Sequence, residues 1–187
     1  MEHIDQAYIV QIDETKDNVL RQEAMSVTQK EWGSNALKNT VKIMQQKLLV
    51  EYDGVALAAP QIGISKRIFV VASQAYTKET KWKPLVFINP TIIKASKKNE
   101  EMQEGCLSVR WIYGKTMRAT SVTVEAYDSN GNKFTYGASG LIAQIFQHEI
   151  DHLHGILFID KGYDFEEFSE EEMRKSMEKK VIDACPA

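Results

Sequence analysis

Three of the chain's four histidines fall in one short stretch, Phe146-Gln147-His148-Glu149-Ile150-Asp151-His152-Leu153-His154-Gly155. On a helix, His148 and His152 stand one turn apart on the same face and can point both imidazoles at one ion. Glu149 follows about 100° round the helix, where its carboxylate can hold a water at the metal and take its proton. His154 is out of phase with the pair and is expected to cap the helix end. Two imidazoles alone rarely hold a divalent ion, so a third protein ligand is required. In one zinc-peptidase pattern it is a His six residues after the second His. Here that position is Phe158, which cannot bind. A later Glu would serve in another pattern, and Glu166, Glu167 and Glu170 to Glu172 are available, in what reads as a solvated helix start. Upstream, Cys106 in "QEGCLSV" is the better candidate, because a thiolate suits Fe(II) or Zn(II).

These residues need elements to carry them. Ser139 is expected to open a helix through "LIAQIFQHEIDHLHG" that Gly155 closes. Leu37, Val41, Met44, Leu48 and Leu49 mark one face of a helix over 35–50. Val19, Leu20 and Val27 are the anchors expected in the weakly patterned first 30 residues. "YDGVALAAPQIGIS" is small-residue-rich and punctuated by Gly54, Pro60 and Gly63, so it reads as a tight loop. Strands are expected over 67–72 and 84–95, and a hairpin over 121–139 turning at Asn130-Gly131. "KASKKNEEMQ" and "SQAYTKETKWK" read as charged loops, and "EFSEEEMRKSMEKKVI" as a final helix. The expected fold class is α+β, with mixed or antiparallel sheets around a central helix that carries His-Glu-x-x-His, in a single domain over 1–187.

The bulk properties exclude some function classes. The chain has 187 residues, 43% hydrophobic and 26% charged, which suits one globular domain with a sizeable core. A net charge of -3 gives no broad nucleic-acid footprint. No apolar run reaches the length of a membrane span, and the first residues lack the order of a signal peptide, so the expectation is a cytoplasmic protein. Cys106 and Cys185 are then read as free thiols or ligands.

Three motifs in order, "GVALAAPQ" (54–61), "EGCLS" (104–108) and "QHEIDHL" (147–153), together with Arg118 and "FINP" (87–90), resemble the peptide deformylase family over roughly residues 15 to 160. The resemblance implies removal of the formyl group from N-formylmethionyl peptides of new bacterial proteins. It makes Cys106 the third ligand beside His148 and His152, with Fe(II) as the expected ion and Zn(II), Ni(II) or Co(II) as replacements. Glu149 becomes the acid and base, while the Gln61 amide and the Leu107 backbone N–H become donors to the oxyanion. The substrate would lie extended along residues 54–57, touching Val55, Ala56 and Gly105. Leu141, Ile145 and His148 stand on one helical stripe at spacings of four and three, so Leu141 and Ile145 would floor its methionine slot, or else be plain core residues.

Three positions depart from the family pattern: Ala56 in place of a second glycine, Arg110 in place of a proline, and Gln144 at a commonly apolar place. If the backbone at Ala56 needs φ > 0 its side chain strains it, and if not the methyl narrows the groove. A zinc endopeptidase and a metal-binding paralogue without turnover are the alternatives, and formate release separates both from the deformylase. A weak ribosome contact is the only macromolecular partner expected besides the peptide, because residues 163–187 hold eight acidic against four basic side chains. Neither DNA nor a membrane is an expected partner.

Overall fold

A computed structural model describes residues 8–12, 18–51, 53–75 and 85–175. Its elements in order are α1 (Asn35–Val50), β1 (Ala56–Ala58), β2 (Ile68–Val71), β3 (Leu85–Ala95), β4 (Asn99–Cys106), β5 (Val109–Ala119), β6 (Ser121–Tyr127), β7 (Lys133–Ser139), α2 (Gly140–Leu153) and β8 (Tyr163–Glu167). They form two sheets, one ordered β1-β2-β3-β6-β7 and one ordered β4-β5-β8, with every strand pair antiparallel. Among the described residues, no helix is long and apolar enough to cross a membrane.

The apolar pattern explains how the larger sheet is covered. All four residues of β2 are buried. Phe69 and Val71 join the cluster beneath α2, with Phe87 and Phe146, while Ile68 and Val70 join the cluster beneath α1, with Leu37, Val41, Met44 and Leu48. A strand with a helix on each face has no polar side to show, which is why "IFVV" reads as a continuous apolar run. Phe69 and Phe87 stack with ring centroids 4.6 Å apart, and Phe146 of α2 meets Phe87 at 4.8 Å, so aromatic contact seats the helix on the sheet. Leu49, expected on the buried face of α1, is exposed. It sits next to Leu48 and so about 100° off the stripe. Leu20 and Val27 are buried as anchors, and Val19 only partly.

Both helices keep their expected bounds. The Ser34 side chain accepts from the Leu37 N–H at the start of α1. Ser139 stands at the N-cap of α2 without a side-chain cap bond, and His154 is its C-cap. Gly155 takes φ 69° just beyond, and its N–H donates to the His152 carbonyl.

Three expectations fail. Residues 99–103, read as part of a charged loop, belong to β4; its outer residues are exposed, so no apolar alternation marks them. Residues 163–167, for which no strand was expected, form β8 with all five residues exposed, and the expected final helix starts at 170 rather than 167. The chain is helical from 170 to 175, behind a box in which the Ser169 Oγ accepts from the Glu172 N–H and the Glu172 carboxylate accepts from the Ser169 N–H. The stretch around Ala56 is a short strand followed by a 3-10 turn over Ala59–Ile62, not merely a loop. Most of the second charged loop, the tail beyond 175 and Cys185 lie outside the described residues.

Candidate active site

α2 is apolar around most of its circumference, and Gln144, Glu149 and His152 are the buried polar residues it carries. Burial of such groups costs several kcal/mol unless each finds a partner or a task. The two strands β4 and β5 meet α2 from one side. A bidentate amide contact fixes them: the Gln147 Oε1 accepts from the Ala119 N–H and its Nε2 donates to the Ala119 carbonyl, both at 3.0 Å. Gln144 adds a second tie, its Nε2 donating to the Gln103 carbonyl at 2.7 Å.

β4 ends on Cys106, which the structure brings to the two histidines. Its Sγ lies 3.2 Å from the His152 Nε2, and the ligating atoms of Cys106, His148 and His152 all fall within 4.8 Å of one another. Among the described residues this is the one group of three that could hold a metal ion. Phe158 is buried in the core, and Glu166, Glu167 and Glu170 to Glu172 are exposed, so the endopeptidase ligand positions do not join it.

A soft sulfur with two imidazole nitrogens is a donor set that fits Fe(II) or Zn(II). The surroundings support the fit. The His148 Nδ1 is 2.6 Å from the Glu104 Oε1, which orients the ring and leaves its Nε2 for an ion. Burial pushes the His152 pKa well down, which favours the neutral ring a ligand needs, whereas Cys106 and Glu104 outweigh burial and raise that of His148, so its ring must give up a proton on binding an ion.

Glu104 is held in turn by Arg118, with Nε–Oε2 at 3.0 Å and Nη2–Oε1 at 2.6 Å, and by the Thr116 hydroxyl at 2.7 Å. Burial alone would raise the Glu104 pKa, but His148 and Arg118 outweigh it and hold the carboxylate ionised. Arg118 continues to Asp151 at 2.6 Å, and Asp151 to Lys161 at 2.7 Å. Sequence reasoning gave Glu104, Thr116 and Asp151 no role and noted Arg118 only as familiar. Their signal is spatial, a contact between residues 44 positions apart in the case of His148 and Glu104.

Glu149 is 3% exposed, its Oε2 has no hydrogen-bond partner among the described residues, and burial pushes its pKa up to about 7. Gln61 has its Oε1 fixed by the Ala58 N–H at 2.8 Å, which turns its Nε2 toward the Ser108 Oγ at 3.3 Å and the Cys106 Sγ at 3.6 Å. Leu107 sits in the tight turn between Cys106 and Val109, its side chain buried.

Gln61, Glu104, Cys106, Leu107, Gln144, His148 and Glu149 border one cavity of about 220 Å³, with Val55, Ala56, Gly105, Leu141 and Ile145 on its walls. Leu141 is 54% exposed, so it is a wall rather than a core residue, whereas Ile145 serves both. A Cβ on Gly105 would meet the Tyr113 ring at 2.6 Å, so only glycine lets that ring close over the strand. Among the described residues the non-glycine positions with positive φ are Asn89 and Asp164, so Ala56 is unstrained and its methyl merely occupies space in the groove.

The polypeptide deformylase family model matches residues 9–168. Peptide deformylase of Halothermothrix orenii is 43% identical over 155 residues, covering 82% of this chain and 93% of that protein. The Desulfitobacterium hafniense enzyme is 41% identical over 157 residues, at 82% and 95% coverage. Among solved structures, a class I type b peptide deformylase from Acinetobacter baumannii superposes with a TM-score of 0.73 at 35% identity, over 82% of this chain and 97% of that one. Peptide deformylase from Thermotoga maritima gives a TM-score of 0.70 at 35% identity, over 83% and 96%. The match runs unbroken through β1, the Cys106 turn and α2, and on that extent the chain belongs to the polypeptide deformylase family.

Proposed function

We propose that this chain hydrolyses the formyl group from N-formylmethionyl peptides, with Cys106, His148 and His152 holding one divalent ion, Fe(II) in the native enzyme. The observation that carries the reading is the convergence of those three ligand atoms within 4.8 Å, beside a buried carboxylate with an unpartnered oxygen. When bound, the ion supplies Lewis-acid activation of the formyl carbonyl and of water. Glu149 takes the proton from the attacking water and passes it to the departing amine. Its burial supports this, because a pKa near the working pH suits a group that must both accept and give. Gln61 donates its Nε2–H to the oxygen that gains charge, alongside the Leu107 N–H. The amide is already aimed, since its other end is tied to Ala58, so little reorganisation is needed as the charge forms.

The peptide backbone adds to β1, which is the edge strand of the larger sheet among the described residues. Val55, Ala56 and Gly105 line its path, and the methionine side chain enters the slot between Leu141, Ile145 and Val55. Residues 1–187 act as one domain in this reading, since α2 packs against strands of both sheets. The test is formate release from a formyl-methionyl peptide by enzyme purified without oxygen. Internal peptide cleavage without formate would support the endopeptidase instead.

A further inference from the structure

Arg110 borders the same cavity and ties β5 to the segment between α1 and β1. It stands near the start of β5, and the residues it grips lie between α1 and β1: its Nη2 donates to the Glu51 Oε2 at 2.6 Å, and its Nη1 to the Asp53 Oδ2 and Oδ1 at 3.2 and 3.4 Å. Lys47 pairs with Glu51 at 2.8 Å from within α1, and the Arg110 guanidinium lies 4.6 Å from the centre of the Trp111 ring. The three clasped side chains are only 12 to 19% exposed, so water and salt screen them poorly. A planar fork is needed for the task, because one guanidinium can serve two carboxylates at once and an ammonium is a single point. Asp53, Arg110 and Trp111 all border the cavity that holds His148 and Glu149. Asp53 leads within three residues into β1, the edge strand to which a peptide would add.

We infer that Arg110 is a positioning residue that fixes the width and register of the peptide groove, and so selects for the substrate residues that follow formyl-methionine. The inference rests on the deformylase reading of the site. The clasp touches neither the proposed ligands nor Glu149, and both its carboxylates are matched by cations, so it has no part in the chemical step. Its effect is geometric. A one-residue substrate makes few backbone bonds to β1 and tolerates a wall that has moved. A longer peptide must match the edge at every pair, and misplacement is felt at each.

The experiment compares formate release from formyl-methionine amide and from formyl-Met-Ala-Ser by the metal-loaded enzyme and its R110A, R110K and E51Q/D53N variants. R110A and E51Q/D53N are each expected to lower kcat/KM on the tripeptide about tenfold more than on the one-residue substrate, chiefly through KM, with R110K intermediate. Parallel losses on both lengths, or no loss, would overturn the clasp. So would length selectivity lost in R110A but kept in E51Q/D53N, which would mean that Arg110 holds the peptide directly. Wild-type enzyme that releases formate from neither substrate would overturn the deformylase reading, and this inference with it.

Discussion

His148, Glu149 and His152 do different work because their surroundings differ. One imidazole is fixed by Glu104, the other is left without a partner at its Nδ1, and the carboxylate between them is left open on one oxygen. The wild-type protein should bind close to one ion per chain, and Cys106→Ser and His148→Ala should each abolish that binding. Full metal content in both would remove the proposed site. Glu149→Gln should keep fold and metal yet lose most turnover, about 100-fold or more, because an amide cannot carry the proton. Near-normal kcat in that variant would end the acid and base assignment. Gln61→Ala should lower kcat by about 100- to 1000-fold with little change in KM, since its hydrogen bond strengthens as charge develops. At this scale the sequence was informative: a His pair four apart with a Glu between them is local, and so is a Cys flanked by Gly105 and Leu107. Glu104 was not legible as a partner of His148, because nothing in the order of residues says which carboxylate folds against which ring.

The elements divide by how much of their surface is buried. β2, α1 and α2 carry their apolar pattern in full and could be read from it, whereas β8 and the first half of β4 are largely exposed, and residues 99–103 look like a charged loop. Such strands are fixed by tertiary pairing with β5, not by their own composition. The same pairing makes β4 and β5 the support of the metal ligands, through Glu104 and Arg118. Arg118→Ala should cost about 3–5 kcal/mol of stability, since it leaves a buried carboxylate without its cation. Glu104→Ala should lower metal affinity by about 10- to 100-fold while Cys106, His148 and His152 remain. Equilibrium unfolding and metal competition read these separately.

Ahead of α1, hydrogen bonds from Lys66 and from Thr28 lower the Glu31 pKa from 4.5 to about 2. A depressed carboxylate stabilises the fold above its unfolded pKa, and that stability fades as pH falls through the folded value. The melting temperature of Glu31→Gln should therefore lie below wild type at neutral pH and converge with it near pH 2. The gap corresponds to no more than about 1 kcal/mol at so exposed a pair. A gap that persists in acid would mean the charge is not its cause.

On the scale of the whole molecule, the surface carries a net charge of -3, and residues 163–187 hold eight acidic side chains against four basic ones. Docking on polyanionic ribosomal RNA calls for a positive surface, so ribosome affinity should be weak and further reduced by salt. Removal of residues 169–187 should change thermal stability more than co-sedimentation with ribosomes at low salt; the reverse would assign the tail to docking. The central claim joins this fold to one reaction at one ion. It is tested most directly by measuring formate released from formyl-Met-Ala-Ser by protein purified without oxygen, with metal content measured on the same sample. The expected result is one formate for each free amino terminus formed, at a rate proportional to bound ion. A fully metal-loaded protein that releases no formate would contradict it.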